Sequence, residues 1–218
     1  KLTGGRVILR ILSNYSTKRM VRATGVFDKE KVGGKQVVDD IISAYQFAAN
    51  DEYRAVTHNK GTMNGIIAVA NSTGQDSRAI EAAANAFAIK NGRYGSMTEW
   101  SKDSQGNLLG KIEIPLSVGI VGGIVNVHPI AKICSKILGV KSAQELSCVI
   151  ASVGLAQNFS AMRALATDGI QKGHMKLHAK NLASAAGATP EQVDKIVQKM
   201  LEEKNISLNR AKELLGQI

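Results

Sequence analysis

Ser96-Met97-Thr98-Glu99-Trp100, the polar turn Lys102-Asp103-Ser104-Gln105-Gly106-Asn107 and Leu108-Leu109-Gly110-Lys111-Ile112-Glu113-Ile114-Pro115 read together as a β-hairpin. On either side the pattern is helical. Upstream, behind Gly33-Gly34, residues 36–49 place Val38, Ile41, Ile42, Tyr45 and Ala49 at helical spacing, which predicts a buried stripe. Residues 57–70 are expected to pass from a polar turn into a small-residue helix, and 77–90 to form an Ala-rich helix stopped by Asn91-Gly92. Downstream of Pro129 helices are predicted at 130–138, 143–158, 161–186 and 207–215, with a Thr189-Pro190-Glu191-Gln192 capping box opening another that runs to Lys204. Two further short β-branched strands are expected at 6–12 and 17–23, joined by the loop 13–16, as a sheet edge. No fixed-period repeat or low-complexity tract is present. The fold class that follows is α+β, with mixed β strands and a helix-rich C-terminal portion.

With 218 residues the chain is long enough to bury a sizeable core, and 44% hydrophobic against 21% charged residues excludes wholesale disorder. No apolar run approaches the roughly 18 residues of a membrane span. Twenty-eight basic residues against 18 acidic ones give a net charge of +10, which favours an anionic partner: a polyphosphate cofactor, nucleic acid or acidic lipid. Residues 1–35 hold nine basic side chains against Asp28 and Glu30, a net of +7. A nucleic-acid module would interleave stacking aromatics with these cations, yet the segment offers only Tyr15 and Phe27, so nucleic acid is disfavoured. Cys134 and Cys148 cannot build a disulfide framework or a zinc cage, and read as small apolar packers in a reducing, cytoplasmic compartment. The sequence opens at Lys1 with neither an initiator Met nor a secretory signal pattern, which reads as an incomplete translation product.

Four clusters carry candidate chemistry. In Tyr53-Arg54-Ala55-Val56-Thr57-His58-Asn59-Lys60-Gly61-Thr62-Met63-Asn64-Gly65, Lys60 is expected near a helix N-terminus, where the dipole disfavours a cation. It is either a solvated loop lysine or one that faces a developing oxyanion. In Thr73-Gly74-Gln75-Asp76, Asp76 caps the following helix, a role compatible with catalysis. Val118-Gly119-Ile120-Val121-Gly122-Gly123-Ile124 permits close backbone approach to a phosphate or a nicotinamide ring, or forms a tight packing turn. Gly173-His174-Met175-Lys176-Leu177-His178 sets two histidines at i and i+4. Met175 stands where a zinc-protease motif carries glutamate and no third ligand is evident, so the expectation is no metal, with a general acid or base and a plain core or surface histidine both open.

As a set these clusters resemble the class II (bacterial-type) 3-hydroxy-3-methylglutaryl-coenzyme A reductases. The resemblance extends through Arg78-Ala79-Ile80-Glu81-Ala82, His128-Pro129, Val153-Gly154-Leu155-Ala156-Gln157-Asn158 and Ala161-Met162-Arg163-Ala164-Leu165-Ala166-Thr167, in order, over essentially the whole chain. It implies that Lys60 binds the substrate carbonyl oxygen and stabilises the alkoxide, that Asp76 hydrogen-bonds to Lys60, and that His174, on a C-terminal flap, protonates the departing thiolate. It further implies that Arg54 and Asn64 hold the acyl carboxylate and hydroxyl groups, that Gln157 and Leu165 line the acyl-thioester pocket, and that Asn14, Gly122 and Gly123 meet the nicotinamide cofactor, NADH or NADPH. The implied reaction interconverts 3-hydroxy-3-methylglutaryl-CoA and mevalonate plus CoA by two hydride transfers.

The family's acidic catalytic motif and its Asp-Ala-Met-Gly cofactor motif fall upstream of the region matched here. The resemblance therefore implies the C-terminal portion of a reductase: residues 1–14 end a small nucleotide-binding domain, 15–170 form part of the large substrate domain and 171–218 a helical flap. An N-terminal portion on another chain and a homo-oligomer of the completed unit are the implied protein partners. A non-catalytic subunit that keeps the reductase fold is the alternative.

Overall fold

The computed structural model describes residues 4–167 and 169–217, without the side chains of 170–174. The expected hairpin forms as β4 (Thr98–Lys102) and β5 (Leu108–Pro115), with Asp103 closing the turn by accepting from Asn107 N at 2.8 Å and Gln105 N at 2.9 Å. β5 is central in a three-stranded antiparallel sheet, flanked by β1 (Met20–Phe27), whose Met20 pairs with Pro115 and Phe27 with Leu108. Leu108, Ile112 and Ile114 are buried at alternate positions, as period-two geometry requires of a strand with one covered face.

The helices between these strands follow β1 in order: α1 (Lys29–Val32), α2 (Lys35–Asn50), α3 (Glu52–Ser72) and α4 (Ser77–Phe87). A two-residue hairpin of β2 (Ile89–Lys90) and β3 (Arg93–Tyr94) turns over Asn91-Gly92. After β5 come a 3-10 turn (Gly123–Asn126), α5 (Pro129–Leu138) and α6 (Ala143–Ala166). α6 covers the buried sheet face: Phe159 stacks on Phe27 with ring centroids 4.2 Å apart and tilts against Trp100 at 6.0 Å.

Four elements depart from expectation. Residues 6–12 form no strand; Val7, Ile8, Leu9, Ile11 and Leu12 are exposed, and no described strand pairs their backbone groups. The strand expected at 17–23 begins instead at Met20, where β5 supplies a partner. The polar turn expected at 57 is helix, because Asp51 caps α3 six residues earlier by accepting from Arg54 N at 2.7 Å. The single helix expected over 161–186 is divided: α6 runs unbroken through Ser160 to Ala166, and Gly169, at φ +78°, caps α7 (Ile170–Ala185). Cys134 is half-buried and Cys148 exposed, so Cys148 is not a packer; it lies outside the covered face of α6.

The chain divides into two compact units, Lys1–Arg163 and Ala164–Ile218. In the second, α7, α8 (Pro190–Glu202) and α9 (Leu208–Leu215) enclose Ala179, Ala183, Ile196, Val197, Met200, Ala211 and Leu214. The small residues on α7 let α8 and α9 approach it closely. The capping-box expectation holds at Gln192, whose Oε1 accepts from Thr189 N at 3.0 Å. Arg210 on α9 clasps Glu203 and Glu213 at 2.7 Å each.

In the first unit α3 and α6 meet through glycine. A Cβ on Gly154 would stand 2.6 Å from Ile66 Cγ1, and one on Gly65 would stand 2.8 Å from Gln157 Cβ and 2.9 Å from the Val153 carbonyl oxygen. Gly→Ala in an unhindered helix gains about 1 kcal/mol of helix propensity. At Gly154 the sign should reverse: Gly154→Ala is expected to lower stability by about 1–3 kcal/mol through overpacking, with Ile66→Ala in the same chain recovering part of the loss in a thermal melt.

Candidate functional site

α3 presents its polar residues on two faces with different environments. Lys60 and Asn64, one turn apart, are exposed, whereas His58 and Asn59, just before Lys60, are 3% and 1% exposed. Lys60 thus stands mid-helix on a segment whose preceding two residues are locked inward, not at a helix N-terminus as expected. Asn59 donates from Nδ2 to Gly95 O at 2.8 Å and accepts on Oδ1 from Met97 N at 2.9 Å, so it pins α3 to the segment leading into β4. The close approach at Gly65 brings Asn64 and its helix turn beside Gln157 of α6, itself exposed. Arg54 is half-buried on the same helix.

His58 belongs to a buried polar cluster that joins three elements. Asn158 Oδ1 accepts from Trp100 Nε1 at 2.8 Å and from Thr98 Oγ1 at 2.9 Å. Because an indole N–H can only donate, the Asn158 amide orientation is fixed and its Nδ2 faces His58 Nε2 at 3.2 Å. Thr98 Oγ1 lies 2.7 Å from the same nitrogen, so His58 Nε2 meets both Thr98 and Asn158. His58 Nδ1 is buried without a hydrogen-bond partner. Burial, and then the nearby charge of Arg54, push the His58 pKa down to about 4.

Asp76 caps α4 by accepting from Ala79 N on Oδ1 at 3.0 Å, and is exposed. No ion pair joins it to Lys60 among the described residues, so the Asp76–Lys60 hydrogen bond that the resemblance implies is not made here. The turn that carries Asp76 is tied to the glycine-rich segment. Gln75 donates from Nε2 to Gly119 O and accepts on Oε1 from Gly119 N, both at 2.9 Å, and a Cβ on Gly74 would come within 2.8 Å of Ile124 Cγ2. Two clusters far apart in sequence are one structural feature. Within that segment Gly122 and Gly123 take φ of +82° and +56°, are exposed, and face no protein atom within 4 Å at the Cβ position.

The remaining candidates are less engaged. Asn14 is exposed at a bend before β1. Leu165 belongs to the second unit and is 44% exposed. His174 lies on α7, but its side chain is outside the described residues; His178, on the same helix, is exposed. Among the described residues no group of three His, Cys, Asp or Glu side chains could hold a metal ion, and no helix is long and apolar enough to cross a membrane. Sequence reasoning passed over the Thr98–Asn158–His58 cluster, because its partners are 40 to 100 residues apart and no local spacing marks them.

The sign of the His58 effect on stability follows from its titration. The unfolded chain takes up its proton near pH 6.5 and the folded chain only near pH 4, so stability is complete above 6.5 and is lost as pH falls through that window. The loss is about 3 kcal/mol between pH 6.5 and 4. Urea unfolding at the two ends of the window should show it, and His58→Gln should flatten that part of the pH dependence relative to the unsubstituted chain.

The hydroxymethylglutaryl-coenzyme A reductase family model matches residues 1–179. A 3-hydroxy-3-methylglutaryl-coenzyme A reductase of Archaeoglobus fulgidus is 54% identical over all 218 residues, which cover 50% of that protein. A probable reductase of Borreliella burgdorferi is 39% identical over 82% of this chain and 42% of its own length. Among solved structures, a 3-hydroxy-3-methylglutaryl-coenzyme A reductase from Streptococcus pneumoniae matches 99% of this chain and 53% of its own at a TM-score of 0.74 and 40% identity. A class II reductase from Streptococcus pneumoniae bound to NADPH in open conformations matches 94% of this chain at 0.70 and 41% identity, with 51% of its own chain covered. The chain spans about half the length of the curated relatives it matches. With the family model covering residues 1–179, this chain belongs to the hydroxymethylglutaryl-coenzyme A reductase family.

Proposed function

We propose that this chain is the C-terminal portion of a class II reductase which, once joined by an N-terminal portion, interconverts 3-hydroxy-3-methylglutaryl-CoA and mevalonate plus CoA. The observation that carries the reading is family membership across residues 1–179 combined with the placement of Lys60 and Asn64 on one exposed helix face beside Gln157. Lys60 offers its ammonium to the substrate carbonyl oxygen and stabilises the alkoxide as charge develops there. Asp76, whose Oδ2 is left over by the cap, orients that lysine once the completed enzyme brings the two together. Arg54 and Asn64 hold the carboxylate and hydroxyl groups of the acyl chain, and Gln157 and Leu165 line its pocket. His174 delivers a proton to the departing CoA sulfur.

NADH or NADPH supplies the hydrides when bound. Two exposed glycines with positive φ and nothing at their Cβ positions fit a flat ring or a phosphate laid against bare backbone, which supports Gly122 and Gly123 as its contacts, with Asn14 as a further amide donor. We assign residues 1–14 to the end of the nucleotide-binding domain, 15–170 to the substrate domain and 171–218 to the flap, and place the enzyme in the cytoplasm as a homo-oligomer of the completed unit. A non-catalytic subunit that keeps the fold is the second reading, favoured by the half-length match to relatives.

Purified alone, this chain is expected to show no CoA-dependent turnover of mevalonate, and addition of the N-terminal portion should restore it. Turnover by the chain alone contradicts the proposal, and failure of any complement to restore it favours the non-catalytic reading. In the completed enzyme Lys60→Ala should cost on the order of 100- to 1000-fold in thioester reduction. His174→Gln should slow reduction of the thioester but spare added free mevaldehyde, a step with no thiolate to protonate. His178→Gln is the control, and a larger defect there would transfer the role to the other histidine.

A further inference from the structure

α3 and α6 each carry residues that the proposed function uses, Lys60 and Asn64 on one and Gln157 on the other, and all three are exposed. Gln157 also packs its Cβ against Gly65. What fixes the two helices is beneath them, at the positions immediately next to Gln157 and two before Lys60. Asn158 accepts hydrogen bonds from Trp100 and Thr98 of β4, and its Nδ2 lies 3.2 Å from His58 Nε2 of α3. Thr98 is fully buried and lies within hydrogen-bonding distance of both His58 and Asn158, so one hydroxyl touches all three elements at once. At Gly154 and Gly65 the contacts with Ile66 and Gln157 set the spacing between α3 and α6, and the directional hydrogen bonds add a preferred rotation.

We propose that Thr98, Asn158 and His58 are positioning residues for the reaction: their hydrogen bonds fix the rotation of α3 against α6 and thereby place Lys60 and Asn64 relative to Gln157. The inference rests on the reductase reading given above. It gives the cluster a role beyond packing. A cluster needed only for packing is replaced at little cost by apolar groups of the same shape, whereas a cluster that sets rotation is not, since an apolar isostere fills the space without specifying an angle. A misplacement of about 1 Å in a catalytic group costs on the order of 100-fold in rate.

The test is steady-state kinetics on the completed enzyme. Thr98→Val is isosteric and removes the hydroxyl; it is expected to lower kcat for thioester reduction by about 10- to 100-fold, with the KM for the nicotinamide cofactor unchanged. Thr98→Ser restores the hydroxyl and should restore most of the rate. In a Gln157→Ala background the loss from Thr98→Val should be smaller than in the unsubstituted enzyme, because the group being positioned is gone. Wild-type kcat in Thr98→Val, with only its melting temperature lowered, overturns the inference and leaves the reductase reading intact. Full multiplicativity with Gln157→Ala also overturns it. If Thr98→Val does not fold, Trp100→Phe removes a single donor to Asn158 and carries the same expectation, so that wild-type kcat there is equally decisive. If the unsubstituted completed enzyme does not reduce the thioester, the reductase reading and this inference fall together.

Discussion

The approach of α3 to α6 is the constraint on which the rest of the first unit depends. Gly65 and Gly154 let the two helices come so near that a Cβ on either would lie under 3.0 Å from the other helix. Dispersion between helices packed this closely has no preferred direction. Direction comes from the buried amide of Asn158, which is oriented by an indole that can only donate and in turn orients His58. The sheet takes part through Trp100 and Thr98, and Trp100 also packs against Phe27 and Phe159.

This arrangement separates two demands made on one helix. A stretch rich in Thr, His, Asn, Lys and Gly has weak helix propensity and would be marginal alone. Buried side-chain hydrogen bonds at His58 and Asn59 hold it helical, and the exposed neighbours are then free to face a ligand. The turn at Gly74-Gln75-Asp76 works the same way, since Gln75 is occupied with the backbone of Gly119 while Asp76 faces outward.

What the sequence revealed was mostly local. The hairpin within 96–115, the cap at Asp76 and the capping box at 189–192 depend on residues within a few positions of one another, and each forms in the structure. The segment 6–12 has strand-like composition but needs a neighbour to become a strand, and composition does not specify a neighbour. The start of α3 was hidden because Asp51 is a strong cap followed by residues that look like a turn. Candidate residues were legible as motifs, through resemblance, whereas the cluster holding them was not, since Thr98, His58 and Asn158 meet only after three elements have packed.

One exposed surface has a practical consequence. Along α5 and the turn before it, Ile124, Val127, Ile130, Ile133 and Ile137 are each more than half exposed, and Val7 to Leu12 adds further uncovered β-branched and aliphatic side chains. Apolar area left in water at this density drives non-specific association. A preparation of this chain by itself will therefore be governed by detergent, salt and concentration, and its apparent mass in solution will measure colloidal stickiness rather than a symmetric assembly.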